Sequence, residues 1–164
     1  GKSQRRGDYS AIVMIARDTD TGTMYVILAD IECRKPDATI DAVLAHYQSL
    51  KCSRFAFETN QFQEFMKDEL EKRGRARGIY PTIEDVKHTS DKVLRIQSLQ
   101  PLVKNGTIQF SRKHRTLLEQ LKYFPRAPHD DGPDALEMAA QLAKNGSGYV
   151  LHYYDEEKGC MVSI

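Results

Sequence analysis

Residues 9–31 read YSAIVMIARDTDTGTMYVILADI. Two apolar runs rich in β-branched residues, 9–16 and 24–31, flank the turn-forming residues 19–22. Short apolar runs separated by a Thr/Asp/Gly turn are typical of a β-hairpin. The stretch therefore predicts two antiparallel strands at the beginning of the fold.

Strand and helix signals alternate after this hairpin. Short strands are predicted at 54–59, which ends in Glu58-Thr59, within 79–86 and at 107–110. Helices are predicted from Pro36, from residue 61 to the 74–78 segment, from an N-cap at Ser90 to Asn105, at 114–124, and from Pro133 to about Lys144. This order predicts an α/β fold with a mixed sheet and helices on its faces.

The whole chain, residues 1–164, is predicted to be a single domain, because no repeat or linker divides it. Residues 149–164 form its tail. Hydrophobic residues make up 40% and charged residues 29%, which is typical of a soluble globular protein. No apolar run approaches the ~18 residues of a membrane span, and three scattered cysteines suggest neither a disulfide framework nor a zinc site. We therefore expect no membrane partner and a cytoplasmic location.

Glu58 departs from the pattern of its segment, because it ends a strand that is otherwise largely apolar. Open α/β sheets bind ligands at the carboxyl ends of their strands. A carboxylate at such a place either has a cation beside it or has simply reached solvent. The position alone does not decide between these two interpretations.

A second acidic group begins the last predicted helix, where residues 129–134 read HDDGPD. Helix capping explains Asp131, because acidic side chains are favoured at a helix N-terminus. Capping explains Asp134 poorly, since Asp134 lies three residues further on, at a spacing that points both side chains the same way. Mg²⁺ and Mn²⁺ bind carboxylates together with substrate phosphates, and pairs of such ions promote phosphodiester hydrolysis. Glu58, Asp131 and Asp134 are therefore predicted to hold metal ions at a site that cuts nucleic acid.

Several segments, taken in order, resemble the C-terminal nuclease domain of the large terminase subunit of tailed bacteriophages and prophages. The resemblance covers roughly residues 7–140. Its segments are GDYSAIV at 7–13, FETN at 57–60, DKVLRIQSL at 91–99, NG at 105–106, and FP at 124–125 leading to HDDGPDAL at 129–136. Each segment is weak alone, and their order and spacing make the match specific.

The resemblance implies a ribonuclease H-like fold with a mixed sheet and helices on both faces. It also implies an endonuclease that cuts concatemeric viral DNA during genome packaging, with two Mg²⁺ or Mn²⁺ ions, in the host cytoplasm. The implied partners are double-stranded DNA, a terminase ATPase domain, a small terminase subunit and a portal. No Gly-rich phosphate loop ending in Lys-Ser/Thr is present, so no ATPase is expected within these residues.

Individual acidic residues match acidic positions of this family. Glu58 matches the family's second-strand acid, while Asp131 and Asp134 both match the acids of the last helix. The comparison does not choose between the latter two, so both are predicted as catalytic metal ligands. Asp8 matches an acidic position close to the site and is predicted as an auxiliary metal ligand. The family's first catalytic aspartate ends a strand expected before Gly1, and without it we expect weakened metal binding and cleavage.

Basic residues near these segments are predicted to contact DNA phosphates, which attract Lys and Arg through charge and counterion release. Lys92 and Arg95 lie about one turn apart near a helix start, and Arg112 and Lys113 follow a short strand. The simpler interpretation of each is a solvated surface. The basic cluster at 72–77 is open to the same two interpretations.

The sequence thus predicts a metal-dependent endodeoxyribonuclease of the terminase type. One alternative is another ribonuclease H-like nuclease, such as a Holliday-junction resolvase or a nuclease for RNA–DNA hybrids. The other alternative is a non-catalytic nucleic-acid-binding or assembly module, in which the acidic residues only cap a helix and satisfy the fold. No segment resembles a major-groove reading element, so cleavage is expected to have low sequence specificity.

Overall fold

The computed structural model describes residues 9–52, 54–58, 61–145, 152–155 and 160–163, with the backbone alone given at 57, 58, 61–63 and the last two segments. The elements alternate along the chain as an α/β protein. They are β1 (Tyr9–Arg17), β2 (Met24–Cys33), α1 (Pro36–Leu50), β3 (Phe55–Glu58), α2 (Gln61–Ala76), β4 (Ile83–Val86), α3 (Lys92–Gln97), α4 (Leu99–Lys104), β5 (Ile108–Gln109), α5 (Arg115–Tyr123), α6 (Asp131–Lys144), β6 (His152–Asp155) and β7 (Cys160–Ser163). Among the described helices, none combines the length and apolar character that crossing a membrane requires.

The strands pair in both directions. β1 and β2 form the predicted antiparallel hairpin, which runs from Tyr9 opposite Cys33 to Arg17 opposite Met24. β5 lies parallel to the beginning of β2. β3 and β4 form a second parallel ladder, and β6 and β7 form an antiparallel hairpin. The predicted mixed strand arrangement is confirmed, and the described strands form four ladders in three sheets.

Helices cover both faces of the β1–β2 hairpin, as predicted. Successive side chains of a strand point to opposite faces, and β1 follows this rule. Ile12 packs with α1 and α2, where Ile40 and Leu44 are fully buried. Its neighbours Ala11 and Val13 pack on the opposite face, in a core whose buried members are Met24, Val26, Ile31, Leu99, Ile108, Leu117, Leu136 and Ala140.

Charged side chains join α1 to α2 on the outside of the molecule. Arg73 pairs with Asp37 at 2.6 Å, and Arg77 pairs with Asp41 at 2.8 Å. Both arginines belong to the basic cluster at 72–77. Exposed pairs of this kind contribute about 0–1 kcal/mol each, so they add little to the stability of the fold.

The single helix predicted from Ser90 to Asn105 is wrong, because the chain forms two short helices there. The N-cap is Asp91, whose carboxylate accepts a hydrogen bond from the Leu94 N–H at 3.0 Å. The break falls at Ser98, between α3 and α4. Pro101 then lies in the first turn of α4, where its missing N–H costs nothing, whereas one continuous helix would place it in the interior and break a hydrogen bond.

Helix α6 sits unusually close to its neighbours at its first turn. A Cβ added at Gly132 would lie 2.6 Å from the Gln120 side-chain oxygen and 2.6 Å from Cδ1 of Ile31. The Gly132 N–H donates to that same Gln120 oxygen at 2.9 Å. Pro133 is fully buried beside it. These contacts fix the first turn of α6, which carries Asp131, against α5 and β2.

Candidate metal centre

Helix α6 carries three acidic residues that are spaced by three. Asp131 and Asp134 lie in its first turn, and Glu137 follows in the next. Side chains three apart on a helix are neighbours. The side chain of Asp134 is 15% exposed and that of Glu137 is 3% exposed, so exposure decreases from Asp134 to Glu137. The row therefore runs from the edge of the molecule into its interior.

Asp134 is already paired with two cations. Its Oδ1 accepts a hydrogen bond from Nη2 of Arg95 at 3.1 Å, and its Oδ2 lies 3.5 Å from Nζ of Lys92. Lys92 also donates to Asp130 at 2.9 Å. Burial opposes the charge on Lys92, but the hydrogen bond with Asp130 and the charges of Asp134 and Asp130 together raise the pKa of Lys92 above its ordinary value. Lys92 and Arg95, two of the four basic residues predicted to contact DNA, thus contact this acidic group.

Arg95 holds a second carboxylate one turn deeper in α6. Its Nη1 donates to Oε2 of Glu137 at 2.6 Å. The Arg95 side chain is 11% exposed, so the ion pair is largely shielded from water. A guanidinium presents its donors in a rigid planar fork, and here one fork joins Glu137 to Asp134.

Asp131 differs from Asp134 in having no ion-pairing partner within the described ranges of the chain. Burial raises its pKa, and the negative charge of Asp130 adds to this effect, whereas its own backbone N–H, Lys92 and His129 act in the opposite direction. Asp131 makes no helix-capping hydrogen bond, although the helix dipole favours an acidic side chain in the first turn. It lies inside the first turn, the N-cap is Asp130, and no side-chain capping hydrogen bond forms there.

Glu58 ends β3, opposite Val86 of the parallel strand β4. Val86 lines an open cleft of about 420 Å³ together with Arg95 and Glu137. Helix α6 also packs against β3. The backbone of Glu58 therefore lies beside the strand that forms one wall of this cleft. Its side chain, and the whole of Asp8, lie outside the described residues, so their part in metal binding stays a prediction.

Asp134 forms a cluster with His88 and Glu137, two residues that were not predicted from the sequence. One nitrogen of His88 and one carboxylate oxygen each of Asp134 and Glu137 lie within 4.8 Å of one another. Nε2 of His88 is buried and has no hydrogen-bond partner among the described residues. Glu137 could have been found, because it continues the Asp131–Asp134 spacing inside the otherwise apolar run 135–140. His88 carries no comparable signal, since only the end of β4 brings it to the cluster.

The start of β1 also reaches the α6 end of the fold. The rings of Tyr9 and His129 lie 4.2 Å apart at an interplanar angle of 41°. His129 lies two residues before Asp131, the first member of the acidic row. Arg112 and Lys113 are exposed in the segment after β5, and in the described structure no hydrogen bond or ion pair joins them to the acidic residues. The four predicted DNA contacts thus fall into two separate groups.

Comparison with known proteins identifies the fold. No family model and no curated protein matches the sequence. The chain is similar in structure to the yeast mitochondrial Holliday junction resolvase Ydc2, with a TM-score of 0.52 and 13% sequence identity, over 82% of this chain and 74% of that one. The fold is ribonuclease H-like. This confirms the predicted fold class, and at 13% identity the likeness extends to the fold alone.

Proposed function

We propose that this chain is a divalent-metal-dependent endonuclease that cuts the backbone of double-stranded DNA, with Glu58, Asp131 and Asp134 as its metal ligands. The observation that carries the proposal is Asp131, a half-buried carboxylate without a cationic partner in the described structure, one turn from Asp134. A buried carboxylate is stabilised by a cation beside it. Carboxylate oxygens are the ligands that Mg²⁺ and Mn²⁺ prefer, so the donor set fits these ions.

Acidic residues of the site are proposed to bind the metal ions, and a basic residue is proposed to contact DNA. Divalent ions, when bound, would polarise the scissile phosphate and favour attack by water. Asp131 and Asp134 would hold them from α6 and Glu58 from the end of β3. Asp8 is proposed as an auxiliary ligand. Lys92, whose side chain is 44% exposed, is proposed to contact a DNA phosphate on the outer side of the acidic row.

The finer assignment is to the terminase type of nuclease. It is supported by the segments at 7–13, 57–60, 91–99 and 129–136, which resemble that family in order and spacing. In this role the chain would cut concatemeric viral DNA in the host cytoplasm, beside an ATPase domain, a small terminase subunit and a portal. Arg112 and Lys113, on a separate exposed segment, are proposed as further contacts to the DNA backbone.

Nicking of supercoiled plasmid tests this function. We expect nicking with Mn²⁺ or Mg²⁺, none with EDTA, and loss of nicking in Glu58→Gln, Asp131→Asn and Asp134→Asn. Glu119→Gln serves as the control, because Glu119 is exposed on α5 and its charge change is the same. Nicking that survives all three acidic substitutions would show that the site has been assigned to the wrong residues.

Two other functions are each supported by one observation. The structural likeness to a Holliday junction resolvase supports a junction nuclease, which would cut four-way junctions in preference to linear duplex. The ion pairs of Asp134 with Arg95 and Lys92 support a non-catalytic nucleic-acid-binding module, since the fold itself neutralises this acid. Such a module would bind duplex DNA equally well with Mn²⁺ and with EDTA, and would cut neither substrate.

A further inference from the structure

Arg95 bonds to two members of a group of side chains that otherwise has the composition of a cation site. His88, Asp134 and Glu137 offer one nitrogen and two oxygens within 4.8 Å of one another, a mixed donor set that divalent metals accept. The guanidinium of Arg95 already bonds to both carboxylates. This inner part of the acidic row therefore contains its own cation, which the protein supplies permanently.

The burial of Glu137 determines which of the two carboxylates anchors Arg95. Glu137 is 3% exposed and Asp134 is 15% exposed, so Glu137 is the fixed end of the bridge. A buried carboxylate that loses its cationic partner is strongly destabilised, so Arg95 stays with Glu137. The rigid fork of Arg95 then places its second Nη group at a defined position beside Asp134.

The two oxygens of Asp134 consequently have different surroundings. Oδ1 accepts the hydrogen bond from Arg95 at 3.1 Å on the inner side. Oδ2 lies 3.5 Å from the ammonium group of the half-exposed Lys92, which also has Asp130 as a closer partner at 2.9 Å. Oδ2 is therefore the oxygen that a metal ion can reach at the smaller cost, because Lys92 retains Asp130 when it leaves Asp134.

We propose that Arg95, anchored by Glu137, is a positioning residue that holds Oδ1 of Asp134 and directs Oδ2 toward the metal ion. This inference rests on the proposed function, since it assumes that Asp134 is a metal ligand. Groups that hydrogen-bond a metal ligand from behind orient it, and their loss commonly reduces metal affinity about 10- to 100-fold. Arg95 thus acts on the metal through Asp134 and not by direct contact with DNA.

The test removes both members of the buried pair at once. Arg95→Met alone would leave Glu137 buried and unpaired, and the fold would suffer. The double variant Arg95→Met/Glu137→Met removes both charges, and replacement of a whole buried ion pair by apolar residues is often neutral for stability. Arg54→Met/Glu84→Met is the control, because these residues form another, more exposed Arg–Glu ion pair near the start of β3, whereas Glu58 ends that strand. Thermal melting establishes that each variant is folded.

Binding of Mn²⁺ is measured by calorimetry on the wild-type chain and on both double variants. We expect the Arg95/Glu137 variant to bind Mn²⁺ about 10- to 100-fold more weakly and the Arg54/Glu84 variant to bind like wild type. Glu137→Gln, which keeps the shape of the side chain, should give a smaller loss in the same direction.

Each other outcome overturns a specific statement. Mn²⁺ affinity that is unchanged in the Arg95/Glu137 variant refutes the positioning role alone. Affinity that rises shows that Arg95 competes with the metal for Asp134, which also refutes it. If wild type binds no Mn²⁺, or binds it equally well after Asp131→Asn and Asp134→Asn, then the proposed metal site fails and the positioning role fails with it.

Discussion

Replacement of Gly132 by alanine should destabilise the fold by pushing the first turn of α6 away from its neighbours. Gly132 is fully enclosed, and the added Cβ would lie 2.6 Å from Oε1 of Gln120, 2.6 Å from Cδ1 of Ile31 and 3.1 Å from Cδ1 of Leu117. Contacts at 2.6 Å are far inside van der Waals distance, so at least two side chains must move.

The magnitude follows from three contributions. Overpacking of a well-packed interior costs about 1–3 kcal/mol. Displacement of Gln120 also weakens the hydrogen bond from the Gly132 N–H, which measures 2.9 Å and is worth about 1 kcal/mol. Alanine recovers about 0.5–1 kcal/mol relative to glycine in a helix. The net expectation is a loss of about 2 kcal/mol, which for a chain of this size lowers the melting temperature by about 4–8 °C.

Urea and thermal unfolding of Gly132→Ala, Gln120→Ala and the double variant measure these contributions. Gln120→Ala removes the hydrogen-bond acceptor and, because Gln120 is buried, also leaves a cavity, so it reports these two losses together. In the double variant the clash with Oε1 is absent, and its cost should be less than the sum of the two single costs. A Gly132→Ala protein that melts at or above the wild-type temperature would refute the close approach of α6.

Three further predictions concern charge. His114 is buried, and burial together with the charge of Lys113 lowers its pKa. The stability due to neutral His114 is therefore present above the unfolded pKa of about 6.5 and is lost as pH falls through the lower folded pKa. His114→Gln should flatten the decline of unfolding free energy, measured in urea, from about pH 7.5 to about pH 5. Burial of Asp30 opposes its ionisation, but Arg34 and His46 hold its pKa below the ordinary value. Arg34→Met should therefore lower the unfolding free energy by about 1–2 kcal/mol at neutral pH. The loss should become smaller as pH falls below about 4, because Asp30 then takes up a proton. Mn²⁺ at about one hundred times its Kd should stabilise the wild-type chain by about 2.7 kcal/mol, which raises its melting temperature by about 5–10 °C. A rise of equal size in Asp131→Asn would contradict the proposed metal site.

The strands and helices could be predicted from local patterns because hydrophobic periodicity and turn chemistry are local properties. The hairpin of β1 and β2 is the clearest case, since both strands begin where the residue pattern places them. The pairing of β5 with the beginning of β2 could not be predicted, because a two-residue strand carries no information about its partner. The break at Ser98 was foreseeable, since Pro101 is incompatible with the interior of one continuous helix.

At the candidate site, too, spacing within one helix could be predicted from the sequence, whereas contacts between distant segments could not. The spacing of Asp131 and Asp134 predicts that both lie on one side of α6, and both residues fall in its first turn. Which cation meets which acid depends on α3, because Arg95 reaches Asp134 from 39 positions away in the chain. The spacing of residues within α6 does not predict that contact.

This difference in partners separates two acids that the sequence presents as equivalent. Asp134 is tied to Arg95 on one oxygen and lies near Lys92 with the other, so the fold fixes its orientation before any metal binds. Asp131 lies in the same turn and lacks such ties within the described structure, while burial raises its pKa. A cation therefore lowers the energy of Asp131 more, because for Asp134 it must also displace Lys92. We infer that Asp131 contributes more to metal affinity, whereas Asp134 contributes more to the geometry of the bound ion.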